Sequence, residues 1–200
     1  MRDARKLVAQ APAGLPSGLA LLVQQAGEPA RSRPVEHWNP PYCGEIDIRI
    51  AADGTWHYRG SRITREGLVR LFASIMRCEP DGSHVLVTPV EKVGITVEDA
   101  PFVAVELAIE GEGSERTLTF RTNVGDIVAA GREHPISFAM EPGTGGLKPY
   151  VLVRGGLQAL VTRAVTLELV ELADEREGAP GLWSGAAFFQ FPAGEGRGDG

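Results

Sequence analysis

Apolar and polar residues alternate most regularly in GEIDIRI, residues 44–50, where Ile46, Ile48 and Ile50 interleave with Glu45, Asp47 and Arg49. A period of two puts the isoleucines on one face of a strand and the charges on the other. Asp53-Gly54 then reverses the chain into Trp56-His57-Tyr58, which predicts a β-hairpin. Beyond it the period lengthens. Leu68, Leu71, Phe72, Ile75 and Met76 recur at helical spacing, with Thr64 as cap and Glu66 in the first turn, and Glu79-Pro80-Asp81-Gly82 stops the helix.

From His84 the alternation returns. It predicts strands over 84–88, 92–98, 102–110, 117–122, 126–129, 135–140, 149–154 and 157–161. Their connections are short, which favours antiparallel pairing over parallel crossovers. VTRAVTLELVELADERE fits either period, and a comparison within the chain decides for a helix. ITREGLVRLF (63–72) and VTRAVTLELV (161–170) both carry Thr-Arg, and each follows a hairpin turned by glycine. Thr162 then caps a helix that turns Val165, Leu169 and Leu172 inward.

The expected fold is therefore α+β, in two domains with a duplicated hairpin-helix motif and a mostly antiparallel sheet. Residues 1–34 form a loose leader with one short helix, capped by Ser17 and apolar at Leu19, Leu22 and Val23. Residues 35–83 make an N-terminal α+β domain, and 84–175 a strand-rich C-terminal domain closed by a helix. Residues 176–200 hold a docking segment, GLWSGAAFF (181–189), and a glycine-rich tail read as disordered over 193–200.

Composition narrows the function classes. At 200 residues, 43% hydrophobic and 23% charged, the chain has material for an ordinary core. A net charge of −6 gives no overall basic field for duplex DNA or anionic membrane. Apart from Lys6, Lys92 and Lys148 the basic residues are arginines, whose planar forks suit phosphate or carboxylate if clustered. Cys43 and Cys78, without CxxC or Cys/His spacing, indicate neither a disulfide framework nor a metal site. The apolar run Leu19–Val23 is far below the ~18 residues of a membrane span, so the expected location is cytoplasmic.

The candidate chemistry is sparse. Cys43 has no base beside it, because His37 lies across the stiff Pro40-Pro41 pair; the thiol is expected as a small packed residue. Trp38-Asn39-Pro40-Pro41 reads first as a rigid extended arm, with Trp38 packed on the body and Asn39 tying backbone groups, and second as a ligand lip formed by Trp38 and Asn39. His57, His84 and His134 are isolated. GTGGLK (143–148) leads into Pro149 and a strand, so it lacks the helix N-terminus of a phosphate loop. Glu91-Lys92 reads first as a surface ion pair, and Asn123-Val124-Gly125-Asp126 as a turn. Lys92, Arg121, Arg154 and Arg163 stand at strand and helix ends, where they read first as solvated scatter and second, if repeated units pack together, as the lining of a cleft. No nucleophile, base and orienter occur together, so no catalytic residue is assigned.

WNPPYCGEIDIRI, DGTWHYRGSRI, VTPVEKVGITVEDAPF, RTNVGD, PYVLVRGGLQA, LVEL and GLWSGAAFF, in this order, resemble the bacterial family of domain of unknown function 1285 over about residues 35 to 190. The resemblance implies a duplicated core of two α+β domains, the second loosely similar to a pleckstrin-homology fold. It also implies a nucleotide-like or nucleic-acid-based ligand between the domains and a role in signalling. Carried onto this chain, that favours Trp38, Asn39, Glu91, Lys92, Asn123, Arg154 and Arg163 as lining residues. The expected function is thus a non-enzymatic cytoplasmic ligand-binding or sensor module without cofactor or metal. Its expected partners are a nucleotide-like ligand or short single strand and a signalling protein, with no membrane. Two alternatives stand beside it: a hydrolase or transferase on a phosphorylated small molecule with Glu91 or Asp126 as base, and a protein-interaction adaptor using Trp183, Phe188 and Phe189.

Overall fold

A computed structural model of the chain describes residues 14–25 and 33–192. The chain divides into two compact units, Met1–Pro101 with Gly155–Leu157, and Phe102–Arg154 with Gln158–Gly200.

In the first unit, helix α1 (Ser17–Gln25) precedes strands β1 (Tyr42–Ile50), β2 (Trp56–Tyr58) and β3 (Ser61–Arg62). Helix α2 (Glu66–Ser74) leads into β4 (Met76–Cys78), β5 (His84–Val87) and β6 (Lys92–Val97). The six strands form one sheet in the order β3-β2-β1-β6-β5-β4. Ile48 pairs with Tyr58 and Ile50 with Trp56, so the alternation read at 44–50 buries this face. Helix α2 lays Leu68, Leu71 and Phe72 into the same core, with Phe72 stacked on Trp56 at 6.2 Å. Each such side chain contributes about 1.5–3 kcal/mol by leaving water.

Several local readings change. The helical spacing through Ile75 and Met76 is overridden, because α2 ends at Ser74 and Met76 pairs with Leu86 as β4. Thr64 does not cap α2; Arg65 stands at that position in extended conformation with no side-chain cap bond. β1 begins at Tyr42 rather than Gly44, with a register shift between Tyr42 and Glu45. Gly44, at φ +94°, supplies the left-handed conformation of that bulge, and Cys43 is exposed there instead of packed. The leader is not loose over α1, since Leu19 and Val23 are fully buried. Residues 1–13 and 26–32 of the leader lie outside the described residues.

The second unit contains β7 (Phe102–Glu110), β8 (Thr117–Thr122), β9 (Ile127–Ala129), β10 (Ile136–Met140), β11 (Leu147–Arg154) and β12 (Leu157–Val161). They form a sheet in the order β10-β11-β12-β7-β8-β9, followed in sequence by α3 (Arg163–Glu171). The segment after α3 folds as a separate three-stranded sheet of β13 (Asp174–Arg176), β14 (Ala179–Ser184) and β15 (Ala187–Gln190). It docks through Ser184, which is fully buried. The Ser184 hydroxyl accepts from the Leu118 amide at 2.9 Å and donates to the Ala130 carbonyl at 2.7 Å. A side chain thus stands in for a rung of the β8–β9 ladder. The tail 193–200 lies outside the described residues.

Both six-stranded sheets are mostly antiparallel, but each has a parallel pair at its centre, β1 beside β6 and β12 beside β7. Short connections exclude parallel pairing only between sequence neighbours. Here the first and last strands of a six-strand run meet. This also moves the unit boundary to Pro101 from the predicted break at 83/84, because β5 and β6 bond to β4 and β1. The two helices that share Thr-Arg follow different strands, the edge strand β3 for α2 and the central strand β12 for α3.

Candidate functional site

In the first unit, the lead-in to β1 is clamped by β4. The Arg77 guanidinium donates through Nη1 to the carbonyls of Val35 at 3.0 Å and Trp38 at 2.7 Å. Its Nε bonds to Glu79 Oε1 at 2.6 Å, and Lys92 Nζ bonds to Glu79 Oε2 at 2.7 Å. The three side chains are only 16–18% exposed. Burial pushes the Glu79 carboxyl up, but the bonds from Lys92 and Arg77 outweigh it and hold the group below its ordinary value. Trp38 is half-buried at the end of this clamp, and Asn39 is exposed beside it. Lys92 therefore faces Glu79 rather than its neighbour Glu91.

Glu91 points elsewhere. It is buried, and its Oε1 accepts the Leu19 amide of α1 at 3.0 Å, while Ser17 Oγ reaches Oε2 at 3.5 Å. Ser17 is thus turned to this carboxylate, and Glu91 takes the place of the cap expected from the serine. The Thr88 hydroxyl accepts from the Glu91 amide at 3.1 Å and fixes the turn that carries the carboxylate.

In the second unit, the turn after β8 and the end of β11 converge on the start of β7. Asn123 Oδ1 accepts the Val103 amide at 3.0 Å, and the Asn123 amide returns a bond to the Val103 carbonyl at 2.8 Å. Arg154 lies 4.9 Å over the Phe102 ring and donates to Asp126 Oδ2 at 2.5 Å. Its side chain is 37% exposed. Asn123, Asp126 and Arg154 are thereby brought around Phe102 and Val103. Arg163 is exposed at the first position of α3, and Arg121 pairs with Glu106 across β7 and β8.

The remaining candidates fall into place separately. Trp183 packs against Phe188 with ring centroids 5.0 Å apart, and Trp183, Phe188 and Phe189 are all half-buried. His57 Nε2 lies 3.1 Å from Thr55 Oγ1, whose hydroxyl donates to Asp53. Among the described residues no group of three or more His, Cys, Asp or Glu side chains is placed to hold a metal ion, and no helix is long and apolar enough to cross a membrane. An open groove of about 450 Å³ beside β9 is lined by Ile127, Arg132, Glu133 and His134, among others, and by none of the predicted site residues.

Sequence reasoning missed Arg77, Glu79 and Phe102. The first two stand where the sequence predicts the end of a helix and its stop signal, which hides their pairing with Lys92. Phe102 stands out in the sequence only as a strand residue, though it starts the strand next to an arginine-ended hairpin.

The family models match this architecture in two parts. The N-terminal domain model of domain of unknown function 1285 covers residues 33–100, and the C-terminal domain model covers residues 101–191. No curated protein sequence matches the chain. A crystal structure of a DUF1285 family protein from Silicibacter pomeroyi DSS-3 is 48% identical, with a TM-score of 0.80 over 84% of this chain and 93% of that one. Another, from Shewanella baltica OS155, is 28% identical, with a TM-score of 0.51 over 64% of this chain and 94% of that one. With both domain models matched end to end, the chain belongs to the DUF1285 family.

Proposed function

We propose that this protein is a non-enzymatic ligand-binding or sensor module that takes a nucleotide-like or short nucleic-acid ligand through its phosphate and serves signalling in the cytoplasm. The observation that carries the reading is the posture of Arg154. The Phe102 ring and the Asp126 carboxylate hold its planar fork in a partly exposed position next to Asn123. A guanidinium fixed in this way loses little freedom on meeting a phosphate or carboxylate. Asn123 and Arg163 of the same unit would add polar and cationic contacts. In the first unit, taken by itself, Lys92, Trp38 and Asn39 gather a charge, a ring and an amide at the Arg77–Glu79 clamp, while Glu91 is turned to α1. A ligand that prefers one conformational state shifts the population toward it, which is all a sensor requires.

The finer fold reading belongs to the same proposal. Both six-stranded sheets follow the order third, second, first, sixth, fifth, fourth strand of their run, which supports descent by duplication. Likeness of the second unit to pleckstrin-homology domains rests on strands closed by a helix, and such analogy is a weak guide to function.

The test is calorimetric titration with nucleotides, cyclic dinucleotides and short oligonucleotides at low and high salt, on the wild type and on Arg154→Ala. Binding that falls at least tenfold in the variant, with an unchanged melting point, supports the reading. The Arg154–Asp126 pair is exposed enough that its loss costs under about 1 kcal/mol. Equal affinity in both proteins, or no binding across the panel, overturns it.

A further inference from the structure

Helix α1 lacks the means to hold itself together. It has nine residues, no acid in its first turn and no base in its last. An isolated helix needs roughly 12–15 residues even with a favourable sequence, so α1 is helical because of what it sits on. Its N-terminal turn is capped from 72 positions away in the chain by Glu91. Its grip is the buried stripe Leu19, Leu22 and Val23, while Leu21 on the other side is 52% exposed.

The seat belongs to the sheet. The Thr88 hydroxyl takes the amides of Val90 and Glu91 at 3.3 and 3.1 Å, so the turn between β5 and β6 that carries the Glu91 side chain is fixed by its own hydrogen bonds. The fit also has a shape requirement. A Cβ at Gly18 would stand 2.7 Å from both Glu91 Oε1 and Thr88 Oγ1. A larger residue there would push the carboxylate or the threonine hydroxyl aside, so glycine at the second position lets the next amide meet the carboxylate. A glycine there weakens the helix in isolation, which again ties its formation to docking. The family's N-terminal domain model starts at residue 33, beyond α1.

We infer that α1 is a displaceable strap: residues 17–25 fold onto the Thr88–Glu91 seat and leave it again as one step, without unfolding the six-stranded sheet of the first unit. The occupant of the seat is this chain's own helix. The recognition code is an apolar stripe behind Ser-Gly-Leu, read by a buried carboxylate. Opening exposes that carboxylate and the apolar surface under Leu19 and Val23, and closing hides both.

Native-state hydrogen exchange tests this on the wild-type chain. The amides of α1 are expected to exchange at least 100-fold faster than those of β1 and β6, at a rate nearly independent of low urea. Exchange of α1 at the same rate and urea dependence as β6 would make it an ordinary core helix and overturn the proposal. Gly18→Val supplies the second arm. The variant is expected to lose protection over 17–25 while β1 and β6 keep theirs. A labelled peptide of residues 14–25 should then bind the variant at least tenfold more tightly than the wild type, whose seat is filled. The same peptide should bind Gly18→Val/Glu91→Ala at least tenfold more weakly. Loss of β1 and β6 protection in Gly18→Val, or peptide binding that ignores Gly18 and Glu91, overturns the strap.

Discussion

Replacing Ser184 by alanine removes one oxygen from a fully buried position. The hydroxyl, fully buried, serves the Leu118 amide at 2.9 Å and the Ala130 carbonyl at 2.7 Å. The Ala130 amide bonds the Leu118 carbonyl at 2.8 Å, so the hydroxyl supplies only the reciprocal half of this residue pair. Nearby, the Gly185 amide is bound to the Arg116 carbonyl at 3.0 Å, and a Cβ at Gly185 would come within 2.9 Å of the Ala130 carbonyl oxygen. The tip of β14–β15 is therefore held against β8 and β9 on both sides of Ser184. Alanine leaves one buried donor and one buried acceptor unpaired, each costing roughly 1–3 kcal/mol. The sum is about 2–4 kcal/mol after some relaxation. With a urea m-value of about 2 kcal/mol/M, the midpoint should fall by roughly 1–2 M. Urea titration by circular dichroism reads the shift, and hydrogen exchange at the Leu118 amide locates it. Ser184→Cys, with a weak S–H donor, should fall between alanine and wild type. A change below about 0.5 kcal/mol, or unchanged protection at Leu118, would refute the idea that this hydroxyl completes the ladder.

Arg77→Ala should destabilise the first unit by about 2–3 kcal/mol, since it frees two half-buried carbonyls and breaks a charged bond, and Arg77→Lys should not restore the loss because one ammonium cannot serve the two carbonyls and Glu79 together. Thermal melts of the three proteins decide it. Glu79 supplies the pH dependence. Its folded value lies below the ordinary 4.5, so its contribution is present above pH 4.5 and is lost as pH falls through the lower folded value. The stability gap between wild type and Glu79→Gln should accordingly be constant from pH 7 to about pH 5.5 and shrink below pH 4.5. A gap that widens in acid would contradict the assignment. Gly181→Ala should loosen the third sheet by about 1–3 kcal/mol, because its Cβ would stand 2.5 Å from the Phe189 carbonyl oxygen, which is backbone and cannot swing away. Proteolysis after Arg176 is a sensitive readout.

Strands were legible wherever a half-buried sheet face imposed alternation, as in β7, whose bounds at Phe102 and Glu110 match the pattern. The strand β4 was not, because Ile75 and Met76 carry on the helical spacing and only the β5 edge decides against it. The unit boundary was illegible for a related reason: β1 is completed by β6, and nothing local records a hydrogen-bond partner so far along the chain. Charged neighbours misled in the same way. Glu91 and Lys92 are adjacent in sequence, yet strand geometry sends one to α1 and the other to Glu79. Asn123 and Asp126 were recognisable as turn residues, and the fold then added Arg154 and Phe102, which no spacing rule connects to them.

The parallel pair of β1 and β6 has a consequence for synthesis. Tyr42 meets Lys92 in that pair, so 92 − 42 = 50 residues must be made before β1 has its inner neighbour. At roughly 5–20 residues per second this takes about 3–10 s, during which a nine-residue strand with one apolar face emerges from the ribosome with only the short β2 beside it. Such an edge invites pairing with other chains. Pro40 and Pro41 at its mouth, followed by Glu45, Asp47 and Arg49 on its outer face, oppose that association until β6 arrives. The stiff lead-in and the charges between the isoleucines thus act as a guard on the nascent chain, a role that ends once the sheet closes.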